Sequence, residues 1–261
     1  MIRILFFGDI VGRPGRNGVK EYLAKFREEL KPDLVVANPD NMSSGRGPNR
    51  KTYEEMLDSG IDFFTSGDHI WDQKDALDIL TERNSRIMRP LNYPAINPGK
   101  GFIVTTVKSA DVLLVSLVGR VWTAEGADSP FTALDSLLAG RKEKVILVDF
   151  HAEATSEKNA LAYNFAGSVS AIVGTHTHIQ TADERIINDH TAFITDVGFC
   201  GPYESVIGVE AEQSIRRFRT GVNVSFDVAK GDVLVCAVAI DIDEKTGKAL
   251  AINRIREIFS N

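Results

Sequence analysis

Apolar runs alternate with helical stretches through the first third of the chain. Residues 2–7 form one apolar run, and apolar positions then recur at helical spacing over residues 15–30, which predicts a strand followed by an amphipathic helix. Residues 34–37 and 63–65 are predicted as further buried strands, and residues 74–82 as a helix. Strand–helix units joined by right-handed crossovers favour a mostly parallel sheet covered on its faces.

The remainder of the chain departs from this pattern and is richer in strands. Residues 101–107 and 112–118 are predicted to pair antiparallel across a short turn. Further strands are predicted at residues 145–150, 171–174, 223–228, 233–242 and 249–255, with hairpin turns at 230–232 and 243–248. Because no repeat or linker interrupts the chain, we expect a single α/β domain, residues 1–261, with two β-sheets between helices.

Composition narrows the classes of protein that fit. The 261 residues are 25% charged and 43% hydrophobic, with a net charge of −6. A mildly acidic chain argues against broad nucleic-acid binding but leaves a local basic patch open. No apolar run approaches the roughly 18 residues that span a membrane. The first residues lack a signal-peptide cleavage pattern, and Cys200 and Cys236 have no CxxC spacing, so we expect a cytoplasmic protein with reduced thiols.

Polar residues that can bind metals recur where the predicted strands end. The segments are Gly8-Asp9, Asn38-Pro39-Asp40-Asn41, Ser66-Gly67-Asp68-His69, Asp149-Phe150-His151 and Gly174-Thr175-His176-Thr177-His178. In open α/β sheets, functional sites form in the crevice beyond the carboxyl ends of the strands. We therefore expect these five strand ends to converge on one place.

The positions of the histidines are the main evidence for this convergence. Four of the five histidines follow a predicted strand directly, and only His190 lies in a separate polar stretch. A single histidine is more often structural than ligating, but four at equivalent positions favour a metal site. In extended backbone, His176 and His178 would point the same way, so that each could reach a different ion of a close pair.

Oxygen donors complete the candidate ligand set. Asp9, Asp40 and Asp68 offer carboxylates and Asn41 offers an amide oxygen. A mixed oxygen and nitrogen set without thiolate suits iron, manganese or zinc. Each aspartate taken alone is more readily explained as a helix cap or a turn residue. That explanation is weakest for Asp9 and Asp68, which follow their strands through one glycine.

The longer motifs resemble a known family. They are Gly8–Gly12, Ser66–Asp72, Asp149–Lys158, Val173–Asp183, Thr195–Gly198 and Gly201–Tyr203. Over nearly the whole chain they resemble the bacterial calcineurin-like metallophosphoesterases of the YmdB type. The resemblance implies a four-layer α/β/β/α sandwich of mixed sheets and two bound metal ions, with iron favoured over manganese or zinc. It also implies phosphodiesterase activity on 2',3'-cyclic nucleotides.

The resemblance assigns a role to each candidate residue by position. One ion would be held by Asp9, Asn41 and His178, and the other by Asp68, His151 and His176, with Asp40 as the bridge and His69 as the proton donor. The implied reaction is attack of a metal-bridging hydroxide on phosphorus while His69 protonates the leaving oxygen. In a rival role, His69 would orient a metal ligand. Asp72, one helical turn away, is a candidate to hold the ring.

Two ligand positions depart from the family pattern. Asp40 stands where relatives typically have Glu, and Pro39 stands where they have Gly, which stiffens this loop. Asp68 stands where relatives typically have Asn, which adds a negative charge to the site. We infer tighter metal binding and weaker Lewis acidity, because an extra carboxylate neutralises more of the charge of the ions.

Substrate contacts and two other functions are left open by the sequence. No residue is assigned to substrate binding. Six residues could contact the substrate, although an ordinary surface or core role is more common for each: Arg13, Arg46, Arg120, Phe165, Phe199 and Tyr203. The same metals would serve a phosphomonoesterase or a nuclease. The altered Asp40 and Asp68 also fit a weakly catalytic regulatory protein that binds a nucleotide. The expected partner is a small nucleotide phosphodiester, and a homo-oligomer is left open.

Overall fold

The computed structural model describes residues 1–124 and 126–260, in which strands and helices are interleaved. The strands are β1 (Ile2–Val11), β2 (Leu34–Asn41), β3 (Phe63–Phe64), β4 (Phe102–Val107), β5 (Ala110–Val118), β6 (Val145–His151), β7 (Ala171–Thr175), β8 (Arg185–Ile187), β9 (Thr191–Ile194), β10 (Phe199–Pro202), β11 (Val233–Ile242) and β12 (Ala249–Phe259). The helices are α1 (Gly12–Leu30), α2 (Arg50–Asp58), α3 (Lys74–Thr81), α4 (Pro130–Leu138), α5 (Thr155–Phe165) and α6 (Ala211–Thr220), with a 3₁₀ helix at Asp68–Trp71. Within the described ranges, no helix is both long and apolar enough to pass through a membrane.

The strands form two mixed sheets. Sheet A has the order β12-β11-β10-β1-β2-β3, and sheet B has the order β4-β5-β6-β7-β9-β8. Antiparallel strands flank the parallel strands on one side of sheet A and on both sides of sheet B. The mostly parallel sheet expected from the first third of the chain therefore extends into a mixed one. The antiparallel pair predicted at 101–107 and 112–118 is confirmed as β4 and β5.

Alternation of side chains along β1 shows how the layers stack. Ile4 and Phe6 pack into the core between the two sheets, whereas Leu5 and Phe7 pack against α1, α2 and α3. The outer face of sheet B is covered by α4 and α5, which contribute apolar residues such as Leu161 to a third core. The layers therefore run α/β/β/α, and the four-layer sandwich of mixed sheets is confirmed.

Face-to-face packing brings the carboxyl ends of the central strands of both sheets together. Asn38 at the end of β2 donates a hydrogen bond to Asp149 on β6, with Nδ2 and Oδ2 2.8 Å apart. Thr65, which follows β3, donates to the same oxygen at 2.5 Å. Both contacts are buried, so polar groups from the two sheets meet at a seam that excludes water.

The C-terminal third differs most from the prediction. Residues 223–228 were predicted as a strand, but they are irregular apart from one bridge between Val209 and Val228, so 230–232 is not a hairpin turn. Of its apolar residues, Phe226 is exposed, whereas Val228 is half-buried against a small core that includes Val11 and Phe199. The turn at 243–248 does join two antiparallel strands, β11 and β12, as predicted. The pattern did not reveal α5, α6, β8, β9 or β10.

Candidate metal centre

The candidate ligands from both sheets meet around the imidazole of His151. Its Nε2 lies 3.0 Å from His176 Nδ1, 3.2 Å from Asp68 Oδ1 and 3.4 Å from Asp40 Oδ2. One donor atom each from Asp68, His151 and His176 lies within 4.8 Å of the others. Asp9 joins the group because its Oδ2 accepts a hydrogen bond of 3.0 Å from the backbone N–H of His176. The predicted convergence of the strand ends is confirmed.

Asn41 and His178 form a second pair of predicted ligands. The ring of His178 donates from Nδ1 to the carbonyl oxygen of Ile207 at 2.8 Å, which leaves Nε2 unprotonated in the neutral ring. Asn41 donates from Nδ2 to the carbonyl of Gly45 at 3.1 Å, which turns its amide oxygen towards the ring. His178 Nε2 and Asn41 Oδ1 therefore face each other as two acceptors 3.1 Å apart. A cation bound to both atoms would relieve this contact.

The surroundings of His151 also favour a bound cation. Its Nδ1 donates to Thr175 Oγ1 at 2.9 Å, and that hydroxyl donates to Asp149 Oδ1 at 2.8 Å. The lone pair of Nε2 then points towards the carboxylates of Asp40 and Asp68 and towards His176 Nδ1. Asp9 Oδ1 is buried and has no hydrogen-bond partner among the described residues. Nitrogen and oxygen atoms directed at one another in this way fit metal ions, which bind the deprotonated form of such ligands.

Burial and crowding raise the proton affinity of the acids in the floor of the site. Burial raises the pKa of Asp9 to about 8, and the nearby Asp196 adds to the rise. Burial also raises the pKa of Asp40 well above its ordinary value, together with the charges of Asp68 and Asp9. Such crowded carboxylates require positive charge close by.

The three histidines at the end of β6 and after β7 are held in the neutral form that binds metals. Burial lowers the pKa of His151 to about 3. Burial likewise lowers the pKa of His176 and of His178, although the acids near each ring partly offset it. Neutral imidazoles are therefore present at physiological pH without any need to displace protons.

A more exposed rim borders this buried floor. His69 is 35% exposed and lies in the 3₁₀ helix, where its Nδ1 is 2.9 Å from Asp72 Oδ2. The guanidinium of Arg46 approaches the same oxygen at 3.8 Å. Of the two roles considered for Asp72, a contact with His69 and a solvated surface position, the structure shows the contact. This contact fixes Nδ1 of His69 and leaves Nε2 available. The rim is also far more open to solvent than the floor, where Asp40 is only 1% exposed.

The loop after β7 corrects one step of the sequence reasoning. His176 and His178 were expected in extended backbone, but their φ values are 99° and 64°, in the left-handed region. That region costs a residue other than glycine about 1–3 kcal/mol, so neighbouring contacts must stabilise it. The two rings consequently turn to different partners, His176 towards His151 and His178 towards Asn41.

A buried ion pair that sequence reasoning missed stabilises this loop. Asp196 accepts hydrogen bonds from the backbone N–H and the hydroxyl of Thr177, at 3.1 and 2.7 Å. The same carboxylate pairs with Lys158 at 2.8 Å, and both side chains are almost completely buried. Lysine is seldom buried without a specific partner, but its partner lies 38 residues away and only the fold identifies it.

Gly67 allows the floor of the site to close. A Cβ atom at this position would collide with the imidazole of His151. The backbone N–H groups of Gly67 and His69 donate to the two oxygens of Asp40, at 2.8 and 3.2 Å. The loop after β3 therefore orients Asp40 with its backbone while it carries Asp68 into the cluster.

Other residues considered from the sequence have varied positions. Phe199 stacks on His178, with ring centroids 5.5 Å apart and planes 11° apart, so it supports a predicted ligand. Phe165 is the last residue of α5 and lies in the core, and Arg13 and Arg120 are exposed. Glu153 was not singled out, yet its Oε2 lies 3.2 Å from His176 Nε2. Its position two residues after His151 is the signal that could have found it.

The arrangement of two mixed sheets between helices is found in other proteins. A putative 5'-nucleotidase from Staphylococcus aureus shares the fold, with a TM-score of 0.63 at 14% identity over 97% of this chain and 54% of that chain. The chain belongs to the family of YmdB-like proteins, which it matches over residues 5–255. The resemblance inferred from its motifs is thereby confirmed.

Individual relatives match along almost their whole length. The chain is 43% identical over 256 residues to the 2',3'-cyclic-nucleotide 2'-phosphodiesterase of Bacillus subtilis strain 168, covering 97% of this chain and 96% of the relative. A crystal structure of a novel phosphatase from Mycoplasma pneumoniae superposes with a TM-score of 0.94 at 38% identity, over 98% of this chain and 93% of that chain. A hypothetical protein from Thermus thermophilus superposes with a TM-score of 0.93 at 38% identity, covering 99% of both chains.

Replacing the buried lysine tests the support of the histidine loop. Lys158→Met should lower the free energy of unfolding by about 3–5 kcal/mol, because it leaves the charge of Asp196 buried without its partner. Urea denaturation of the metal-free protein measures this change. Lys108→Met, which breaks an exposed pair with Asp33, is the control and should cost about 1 kcal/mol or less. Similar losses for the two variants would contradict the assigned role of the buried pair.

Replacing the additional carboxylate tests the inference about charge at the metal site. Asp68→Asn should weaken metal binding about ten-fold or more, because the neutral amide attracts a cation less than the carboxylate does. Titration of the metal-free protein with Mn²⁺ and Zn²⁺ measures affinity, and turnover per bound metal tests Lewis acidity. Asp78→Asn, on the exposed surface of α3, is the control. If neither metal affinity nor turnover changes in Asp68→Asn, the inference fails.

Proposed function

We propose that this protein is a metal-dependent phosphodiesterase that hydrolyses 2',3'-cyclic nucleotides. The observation that carries the proposal is the cluster in which His151 Nε2 lies 3.0–3.4 Å from potential ligand atoms of His176, Asp68 and Asp40. The B. subtilis relative named as a 2',3'-cyclic-nucleotide phosphodiesterase, 43% identical over 97% of this chain, supports the choice of substrate.

The candidate ligands divide into two sets that would hold two ions. Asp68, His151 and His176 form one set, and Asp9, Asn41 and His178 form the other, with Asp40 as the shared ligand. The first set is supported by the close approach of its three donor atoms. The second is supported by the acceptor pair of Asn41 and His178 and by the orphaned Oδ1 of Asp9. Iron is the favoured metal, with manganese or zinc as alternatives, because the donors are oxygen and nitrogen without sulfur.

The protein prepares the site for charge on the substrate. When bound, two metal ions supply positive charge to the phosphoryl oxygens and lower the pKa of the attacking water. The buried residues of the floor hold their positions before substrate arrives, because Gly67, Thr175 and Asp196 fix the loops that carry them. Preorganised polar groups of this kind lower the barrier without reorganising during the reaction.

His69 is the proposed proton donor to the leaving oxygen. Asp72 holds its Nδ1 and so directs Nε2 as the acid atom, while exposure to solvent allows the ring to regain its proton between turnovers. In a 2',3'-cyclic diester the leaving oxygen stays attached to the ribose after the P–O bond breaks. A single proton therefore completes the step, and one histidine suffices.

The role of His69 can be tested by removing its ring. His69→Ala should lower kcat about 10²–10⁴-fold, since that is the usual contribution of a general acid. Metal content, measured by elemental analysis, should stay at the wild-type value. His190→Ala is a matched control, because His190 lies in the turn between β8 and β9, outside the cluster. Loss of metal from His69→Ala would instead favour the role of orienting a metal ligand.

A panel of substrates tests the proposed reaction itself. Protein purified without chelator should contain about two metal ions per chain and should hydrolyse 2',3'-cyclic AMP faster than a linear dinucleotide or p-nitrophenyl phosphate. Preference for p-nitrophenyl phosphate would favour a phosphomonoesterase, in keeping with the relative from M. pneumoniae named as a putative phosphatase/phosphodiesterase. Preference for the dinucleotide would favour a nuclease. Metal-loaded protein that is inactive on every substrate would favour a regulatory binding protein.

A further inference from the structure

An arm formed by residues 210–227 leaves the fold next to the candidate metal centre. Its ends are held together by the bridge between Val209 and Val228 and by a hydrogen bond of 3.0 Å from Glu210 N to Asp227 O. The segment that leads into it contacts the site, because the carbonyl of Ile207 accepts the hydrogen bond from His178 Nδ1. The arm therefore begins in the wall of the site.

Packing does not explain the sequence of this arm. Its helix, α6, buries only Ser214 of its ten residues. Phe218 is 85% exposed, and Ile215, Val222 and Phe226 are also exposed. Several large apolar side chains at the surface of one short segment usually indicate a binding surface.

The middle of the arm is basic, although acidic residues near its two ends make the arm neutral overall. Residues 213–226 contain Arg216, Arg217 and Arg219 and no acidic residue, whereas the chain has a net charge of −6. The guanidinium of Arg217 lies over the ring of Phe226, 5.6 Å from its centroid. This is the local basic patch that the overall composition had left open. Arginine beside exposed aromatic rings suits single-stranded nucleic acid, whose phosphates pair with arginine and whose bases stack on aromatic planes.

We propose that the arm binds the nucleotides that precede a terminal cyclic phosphate, so that the substrates include single-stranded RNA ending in a 2',3'-cyclic phosphate. The proposal rests on the phosphodiesterase function proposed above, which places the cyclic phosphate at the metal centre. RNA is the polymer that fits, because a 2',3'-cyclic phosphate requires a ribose 2'-oxygen. The helix is about 15 Å long, which matches about four stacked nucleotides at roughly 3.4 Å each.

Kinetics on two substrates test the arm in the metal-loaded full-length chain. The substrates are 2',3'-cyclic AMP and a hexaribonucleotide that ends in a 2',3'-cyclic phosphate. The triple variant R216Q/R217Q/R219Q, and separately Phe218→Ser, should lower kcat/KM for the hexamer about ten-fold or more relative to kcat/KM for the mononucleotide. Arg83→Gln, an exposed arginine after α3, should keep the wild-type ratio. An unchanged ratio in both arm variants overturns the proposal.

Binding separates failure of the arm from failure of the proposed reaction. Fluorescence anisotropy measures binding of a labelled hexaribonucleotide that ends in a 3'-phosphate, and the wild type should bind it tightly. The slope of log Kd against log salt concentration should be smaller by about 2 for the triple variant than for the wild type. If neither substrate is hydrolysed but the slopes differ in this way, the proposed reaction is wrong and the proposed RNA-binding role of the arm is supported. Equal binding of the hexaribonucleotide by the wild type and the triple variant overturns the proposed RNA-binding role of the arm. Light scattering that shows loss of an oligomer in Phe218→Ser, with hexamer binding unchanged, would identify a second copy as the occupant and overturn the proposal.

Discussion

Removal of charged ligands from water is the constraint on which the site depends. Asp9 and Asp40 are almost fully buried where the two sheets meet, and they lie beside Asp68. An uncompensated buried carboxylate costs several kcal/mol, so these side chains must either take up protons or share a cation. His151 does not supply the charge, because burial keeps its ring neutral. Metal binding and stability of the seam between the sheets are therefore coupled.

The same seam requires that its loops be rigid. His176 and His178 occupy left-handed backbone, which is unfavourable for each of them, yet a ligand displaced by about 1 Å would bind metal poorly. Tertiary contacts stabilise this conformation. Asp196, paired with Lys158, accepts hydrogen bonds from Thr177 between the two histidines, and Phe199 stacks on the ring of His178. The sandwich thus supplies, through residues far apart in the chain, the rigidity that the short loop lacks.

The sequence predicted the convergence of ligands because that property follows from strand direction. His151 and Asp9 could be placed at the carboxyl ends of buried strands, and parallel strands bring such ends together. The left-handed backbone of His176 could not be predicted, because tertiary contacts and not local preference impose it. For the same physical reason the partner of Lys158 could not be found from spacing. The strand predicted at 223–228 had the right alternation, but a strand also needs a neighbouring edge with which to pair.

The gradient from buried floor to exposed rim separates two chemical tasks. Residues in the floor are kept neutral or paired by burial, which suits them to hold ions but prevents them from exchanging protons quickly with water. His69 lies at the rim, where solvent can reprotonate it, and Asp72 fixes its orientation without burying it. Asp68, 25% exposed, lies between the two regions, so in the proposed reaction its additional charge would act on the ions and on the substrate alike. A change at that position would therefore alter metal affinity and turnover together, while changes in the arm that starts near His178 would affect only which substrates reach the floor.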